Sequence, residues 1–136
     1  MKYLVDVNVL SEGTKLSPSA SAVNWLIEHR RHIFVNPIIL GELEFGILIL
    51  PDSRRRSRLQ QWLNSAIKSV PVAEINADTA RVWASLLAEL RNKGRTMPVK
   101  DSLIAATARQ YDLTLATRNV TDFRDAGVRV ENPFET

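Results

Sequence analysis

Short apolar runs alternate along the chain with longer segments of helical periodicity. The predicted strands are Tyr3–Val5, Ile33–Val35, Val70–Ile75, Leu113–Ala116 and Val128–Val130. The predicted helices begin at cap signals, which are Ser17-Pro18, Asn36-Pro37, Asp52, Asp78 and Pro98. The strands are apolar throughout instead of alternating, which is typical of a parallel sheet covered on both faces. The pattern predicts one α/β domain over residues 1–136, with a central parallel sheet of about five strands flanked by helices on both faces.

Polar residues follow two of the predicted strands, at the edge where open parallel sheets bind ligands. Asp6 and Asn8 come after the first strand, and Thr117 and Asn119 come after the fourth, with Asp122 shortly beyond. By position alone, Asp6 fits a ligand site and an ordinary turn equally well. Thr117 could offer a hydroxyl to such a site. Asn119 and Asp122 could instead cap a turn.

Two glutamates, Glu42 and Glu44, lie on the apolar helix predicted from Ile38 to Leu50. Burying a carboxylate without a partner is costly, so at least one of them is expected to belong to a site. Helical periodicity does not choose between them. Asp101 lies near the start of the last predicted helix, where a lone acid is typical of a helix-dipole partner.

The apolar stretch from Ile38 to Leu50 exceeds what one core face requires. It indicates a subunit or partner surface, with a fully buried helix as the alternative. The strongest basic cluster follows it and comprises Arg54, Arg55, Arg56 and Arg58. Such a run is usually a solvated helix face, and its functional alternative is contact with nucleic-acid phosphates.

The composition narrows the class of protein. The chain has 136 residues, of which 45% are hydrophobic and 24% charged, close to the globular average. The absence of cysteine excludes disulfides and thiolate metal sites, and two histidines leave little for zinc. No apolar run reaches the ~20 residues of a membrane span, and Asp6 interrupts the apolar start a signal peptide needs. We therefore expect a cytoplasmic protein without membrane association.

Several carboxylates at one sheet edge cannot all ionise without a cation. Mg²⁺ and Mn²⁺ take oxygen ligands and keep waters that can act as nucleophiles. The net charge of +3 permits nucleic acid as a partner. An acidic centre in basic surroundings indicates a metal-dependent phosphodiesterase that acts on nucleic acid.

Five segments match a known family in order and spacing, namely Leu4–Glu12, Pro37–Leu43, Asp101–Ala108, Ala116–Phe123 and Asn132–Phe134. Over nearly its whole length the chain resembles PIN-domain ribonucleases, specifically the VapC-type toxins of toxin–antitoxin modules. The resemblance implies a Mg²⁺ or Mn²⁺ site and selects Glu42 over Glu44. Asp6 and Asp101 match direct metal ligands, and Glu42 matches an acid that binds metal directly or through water and orients the attacking water.

The chain departs from the family pattern at two positions. Asn119 stands where the family has its fourth acid, so either Asn119 or Asp122 completes the site. Val7 stands where many relatives have threonine. Asn8 and Thr117 are supporting residues in this interpretation.

The resemblance also implies partners, namely an RNA substrate, a homodimer partner and a VapB-type antitoxin whose C-terminal segment occupies a groove of the toxin. Cleavage is expected to leave a 5′-phosphate and a 3′-hydroxyl. The main alternative is a PIN-like module that binds RNA or protein without cutting, which Asn119 and Val7 favour. A third hypothesis, an aspartyl-phosphate fold with Asp6 as nucleophile, is disfavoured because Asn8 replaces the second aspartate that such hydrolases need.

Overall fold

Four parallel strands form the centre of the computed structural model, which describes residues 1–135. The strands are β1 (Tyr3–Val5), β2 (Ile33–Phe34), β3 (Thr114–Ala116) and β4 (Val130–Glu131). Their order across the sheet is β2-β1-β3-β4, with Val5 of β1 opposite Ala116 of β3. The two central strands therefore come from opposite ends of the sequence. Thr136, the last residue of the predicted domain, lies outside the described residues.

Helices connect these strands. They are α1 (Val7–Leu10), α2 (Ala20–His29), α3 (Pro37–Leu48), α4 (Arg54–Trp62), α5 (Ala77–Asn92) and α6 (Val99–Gln110). A π-helical turn at Leu63–Ile67 extends α4, and 3-10 turns follow α1 and β3 at Ser11–Thr14 and Val120–Phe123. The predicted α/β class with a parallel sheet is confirmed. Among residues 1–135, no helix is long and apolar enough to cross a membrane.

The predicted strand at Val70–Ile75 is wrong, and the described sheet has four strands instead of about five. This segment makes a single parallel bridge, between Val35 and Val72. The amide of Val35 donates to the Pro71 carbonyl at 3.0 Å, and the amide of Ala73 donates to the Val35 carbonyl at 2.7 Å. Pro71 has no amide hydrogen with which to extend the ladder. The last strand also begins at Val130, two residues later than predicted.

Three predicted helix starts are wrong, namely Ser17-Pro18, Asp52 and Asp78. The side chains that cap these helices belong to Ser19, Ser53 and Asn76. The start of α2 shifts because the amide of Ser19 donates to the Glu12 carboxylate at 2.8 Å, which places the cap at that residue. On this helix Trp25 is buried and Ile27 is exposed.

The core encloses the sheet and holds the helices that carry the predicted site residues. Fully buried Leu4 and Leu115 come from the sheet, Ile39 from α3 and Ile104 from α6. Burial of such side chains stabilises the fold by roughly 1.5–3 kcal/mol each. Small side chains on α6, including Ala105, lie within this core and allow a close approach to the sheet.

A buried asparagine links α3 to α6. The Asn36 Oδ1 atom caps α3 by accepting from the Ile39 amide at 2.8 Å. Its Nδ2 atom donates to Thr107 Oγ1 on α6 at 3.1 Å. Because α3 carries Glu42 and α6 carries Asp101, this link fixes the two helices that bring acids to the sheet edge.

Candidate active site

Asp6 is held at the carboxyl end of the sheet by backbone and side-chain donors. It caps α1 by accepting from the Val7 amide at 2.8 Å through Oδ1. Thr117 Oγ1 donates to Asp6 Oδ2 at 2.8 Å. The pairing of Val5 with Ala116 places these two residues side by side at the ends of the two central strands. The predicted juxtaposition of Asp6 and Thr117 is therefore observed.

Asn8 connects the first helix to the loop after β3. Its Oδ1 atom accepts from the Arg118 amide at 3.0 Å, and its Nδ2 atom lies 3.4 Å from both Asp6 Oδ2 and Thr117 Oγ1. The Asn119 amide in turn donates to Thr117 Oγ1 at 3.1 Å. Asn119 thus contributes to the site through its backbone amide, and the residue is exposed to solvent.

Glu42 of α3 faces the same negative centre. Partial burial raises the pKa of Glu42, and Lys100, whose Nζ lies 3.8 Å from Glu42 Oε2, opposes the rise. The charges of Asp6 and Asp101 raise this pKa further. Glu44 instead accepts a hydrogen bond from Gln60 Nε2 of α4 at 3.1 Å. The structure therefore brings Glu42, and not Glu44, together with the other acids.

Asp101 lies in the first turn of α6, where it completes this group. Burial raises the pKa of Asp101, the charges of Asp6 and Asp122 add to the rise, and Lys100 opposes it. Asp122 thus lies near enough to act on Asp101, although it is exposed. Negative charge from four separate segments accumulates at one sheet edge.

The donor set fits a hard divalent cation. All four acids offer oxygen, and ionising them together is unfavourable without positive charge nearby. Within residues 1–135, no three acidic or histidine side chains lie close enough to form a ready-made metal site. Such an open arrangement is compatible with Mg²⁺, which keeps several of its waters and binds through one or two carboxylates.

Glu12 is a structural residue beside the site that the sequence pattern did not single out. This acid is almost fully buried, accepts from the Ser19 amide at 2.8 Å and pairs with Lys15 Nζ at 2.9 Å. The Ser19 hydrogen bond, more than the nearby Lys15 and Arg118 charges, lowers the pKa of Glu12. The signal available in the sequence was a lysine three residues after an acid, which is too common to single out. Glu12 positions the entry to α2 and keeps Lys15 near the site.

The basic run, which comprises Arg54, Arg55, Arg56 and Arg58, forms the start of α4, where Arg56 is half-buried and the other three are exposed. No carboxylate of residues 1–135 lies within ion-pair distance of these four guanidinium groups. Arg55 lines a groove to which Glu42 also contributes. The run is therefore a solvated face that adjoins the acidic centre.

Comparison with known proteins identifies the family to which this chain belongs. A family model for the PIN domain matches residues 3–128. The VapC ribonuclease Y4jK of Sinorhizobium fredii is 29% identical, with 97% of each chain covered. Toxin FitB of Neisseria gonorrhoeae is 30% identical, with 96% of this chain and 97% of that protein covered.

Solved structures show the same fold. A structure of FitAB bound to a DNA fragment superposes with a TM-score of 0.91 at 26% identity, covering 98% of this chain and 96% of that one. VapBC2 of Rickettsia felis bound to a promoter DNA fragment gives a TM-score of 0.81 at 25% identity, covering 97% and 98%. PIN nucleases in general use divalent metal. The sheet-edge acids, the family model and these relatives agree, and the chain belongs to the PIN-domain family, among the VapC-type ribonuclease toxins.

Proposed function

We propose that this protein is a Mg²⁺- or Mn²⁺-dependent endoribonuclease, the toxin of a toxin–antitoxin module, built as a single PIN domain over residues 1–136. One observation carries the proposal. Asp6, Glu42 and Asp101 come from three separate elements around the carboxyl edge of the sheet, where the charges of Asp6 and Asp101 raise the pKa of Glu42 and the charge of Asp6 raises the pKa of Asp101. Holding three acids together in this way is unfavourable unless a cation balances them.

Each acid has a proposed role. Asp6 and Asp101 would hold the metal directly, and Glu42 would hold it directly or through water and would orient the attacking water. Asp122 is the better candidate than Asn119 to complete the site, since its charge acts on Asp101. When bound, the ion supplies charge stabilisation at the phosphate and a nucleophile at neutral pH. The products are a 5′-phosphate and a 3′-hydroxyl.

The neighbouring polar residues hold and surround this centre. Thr117 and Asn8 fix the orientation of Asp6 through the hydrogen bonds at 2.8 and 3.4 Å. The arginines at the start of α4, Arg54, Arg55, Arg56 and Arg58, contact RNA phosphates. Such contacts are electrostatic, so binding is expected to weaken as salt rises.

Two protein partners belong to this proposal. The solved relatives named FitAB and VapBC2 are toxin–antitoxin complexes, and we infer a VapB-type antitoxin for this chain. We also infer a homodimer. Phe45, Leu48 and Ile49 of the α3 region are 64%, 52% and 66% exposed, which leaves an apolar surface available for either partner. RNA and antitoxin are both made in the cytoplasm, where we place the protein.

The test is cleavage of a mixed small-RNA pool by purified protein, with EDTA, Mg²⁺ or Mn²⁺. Asp6→Asn and Asp101→Asn are expected to abolish cleavage. Asp78→Asn is the matched control, because Asp78 is an exposed first-turn acid of α5, as Asp101 is a first-turn acid of α6. Cleavage that persists in EDTA or in Asp6→Asn overturns the assignment. Metal-independent RNA binding without any cleavage favours the binding-module alternative.

A further inference from the structure

An apolar groove of about 250 Å³ lies beside Glu42, and we call it the α3–α4 groove. Its apolar lining comes from α1, α3, α4 and the segment that joins the last two, and comprises Val7, Leu43, Ile47, Leu50, Leu59 and Trp62. Pockets for drug-sized ligands span ~300–1,000 Å³, so this groove has the size for one ring system. Because Glu42 lines it too, the groove is continuous with the acidic centre.

Two cationic side chains also line the groove, Lys15 and Arg55. Lys15 is kept there by its ion pair with Glu12 at 2.9 Å. Arg55 is exposed and has no carboxylate within ion-pair distance among residues 1–135. An apolar lining with an aromatic residue and two cations has the chemistry of a single-stranded nucleic-acid site. Bases stack on aromatic side chains in such sites while cations follow the backbone.

We propose that the α3–α4 groove is a base-binding subsite for single-stranded RNA. A nucleotide next to the cleaved bond places its base in the groove against Trp62, and Lys15 and Arg55 contact its phosphates. This inference rests on the proposed ribonuclease function, since it assigns a substrate subsite to the same active site. The groove then sets which strand conformation presents a phosphate to Asp6, Glu42 and Asp101.

A helical glycine allows the groove to be filled without disturbing the fold. Gly46 lines the groove, and a Cβ atom built on it meets no heavy atom within 4 Å. Gly41 is also exposed on the same helix, and a Cβ atom built on it likewise meets no heavy atom within 4 Å. It lines a different depression, beside Glu44. Gly46→Leu therefore blocks the groove, and Gly41→Leu is its matched control. Both changes remove a glycine from a helix, which favours folding.

The experiment uses a short unstructured RNA in which one abasic nucleotide is moved through the sequence. One nucleotide next to the cleaved bond is expected to place its base in the groove. When the abasic position falls on that nucleotide, kcat/KM of the native protein is expected to fall about tenfold. Gly46→Leu is expected to cut the intact RNA about tenfold more slowly, and the abasic change then costs nothing further. Gly41→Leu is expected to match the native protein.

Two outcomes overturn the inference. The first is native kcat/KM in Gly46→Leu, and the second is an abasic scan without a sensitive position. If Gly46→Leu shows the first outcome and also no longer binds the antitoxin, the groove is a protein-docking site only. If the native protein cuts no RNA, the proposed function fails, and the subsite is then tested by fluorescence anisotropy in EDTA. There, Gly46→Leu must bind the labelled intact RNA about tenfold more weakly than Gly41→Leu, or the inference is wrong.

Discussion

Replacing Thr117 with valine tests how firmly the sheet edge holds Asp6. Thr117 is fully buried, its hydroxyl donates to Asp6 Oδ2 at 2.8 Å, and it accepts from the Asn119 amide at 3.1 Å. Valine has nearly the same shape, so no cavity arises and only the hydroxyl is lost. Among residues 1–135, the remaining side-chain donor to Asp6 Oδ2 is Asn8 Nδ2, at a weak 3.4 Å.

The size of the effect follows from this hydrogen bond. A bond to a charged group contributes about 1.5–3 kcal/mol to the free energy of unfolding, and the exposed Asn119 amide can turn to water. For a chain of this length, Tm shifts by roughly 3–5 °C per kcal/mol, so Thr117→Val is expected to lower Tm by about 5–15 °C. Because Asp6 loses its orientation, the metal concentration for half-maximal RNA cleavage is expected to rise.

The assay combines thermal unfolding with metal titrations of cleavage, and Thr117→Ser is the control. Serine keeps the hydroxyl and loses one methyl group. This loss is expected to lower the free energy of unfolding by about 1 kcal/mol and to leave the metal requirement unchanged. A Thr117→Val protein whose Tm lies within about 1 °C of native and whose metal requirement is unchanged would refute the reasoning.

Three further predictions concern stability. Asn36→Ala removes the cap of α3 and the link to Thr107, and should lower the free energy of unfolding by about 2 kcal/mol in urea titrations. An unchanged urea midpoint would show that neither bond matters. Because the pKa of Glu12 is lowered in the folded protein, its ionised carboxylate stabilises the fold fully at pH values above the ordinary carboxyl range. This stabilisation is lost as the pH falls through the lowered pKa. Glu12→Gln should therefore flatten the acid side of the stability profile, and a profile as steep as native would contradict this. The raised pKa of Asp101 means that its ionised form destabilises the metal-free fold at neutral pH. Asp101→Asn should raise Tm in EDTA and abolish the increase in Tm caused by Mg²⁺, and a lower Tm in EDTA would count against the charge argument.

Local sequence signals are enough to predict a helix or a strand where those signals agree with one another. The Asn36-Pro37 cap predicted the start of α3, and the apolar triplet Tyr3–Val5 predicted β1. Val70–Ile75 has the composition of a strand, but strand formation also needs a neighbour that can pair, and Pro71 prevents an extended ladder. The start of α2 is fixed by a bond from Ser19 to Glu12, which no helical or strand period reveals.

The choice between two glutamates shows where sequence reasoning about the site ends. Glu42 and Glu44 have equally apolar neighbours along the helix, so periodicity leaves them equal. Their difference is tertiary, since Lys100 and Asp101 of α6 approach Glu42 and Gln60 of α4 approaches Glu44. The family resemblance selected Glu42 because it carries information about the three-dimensional arrangement that one chain's periodicity lacks.

The pairing of β1 with β3 also determines when, during synthesis of the chain, the proposed nuclease site can form. Asp6 and the Thr117 hydroxyl that orients it are separated by 111 positions in the sequence. Asp101 likewise leaves the ribosome long after Asp6, and the chain grows at about 5–20 residues per second. A nascent chain whose Thr117 has not yet emerged from the ribosome cannot assemble the acidic centre. Thr117 is preceded by 116 of the 136 residues, so more than four-fifths of the chain is made before the hydroxyl that orients Asp6 is available.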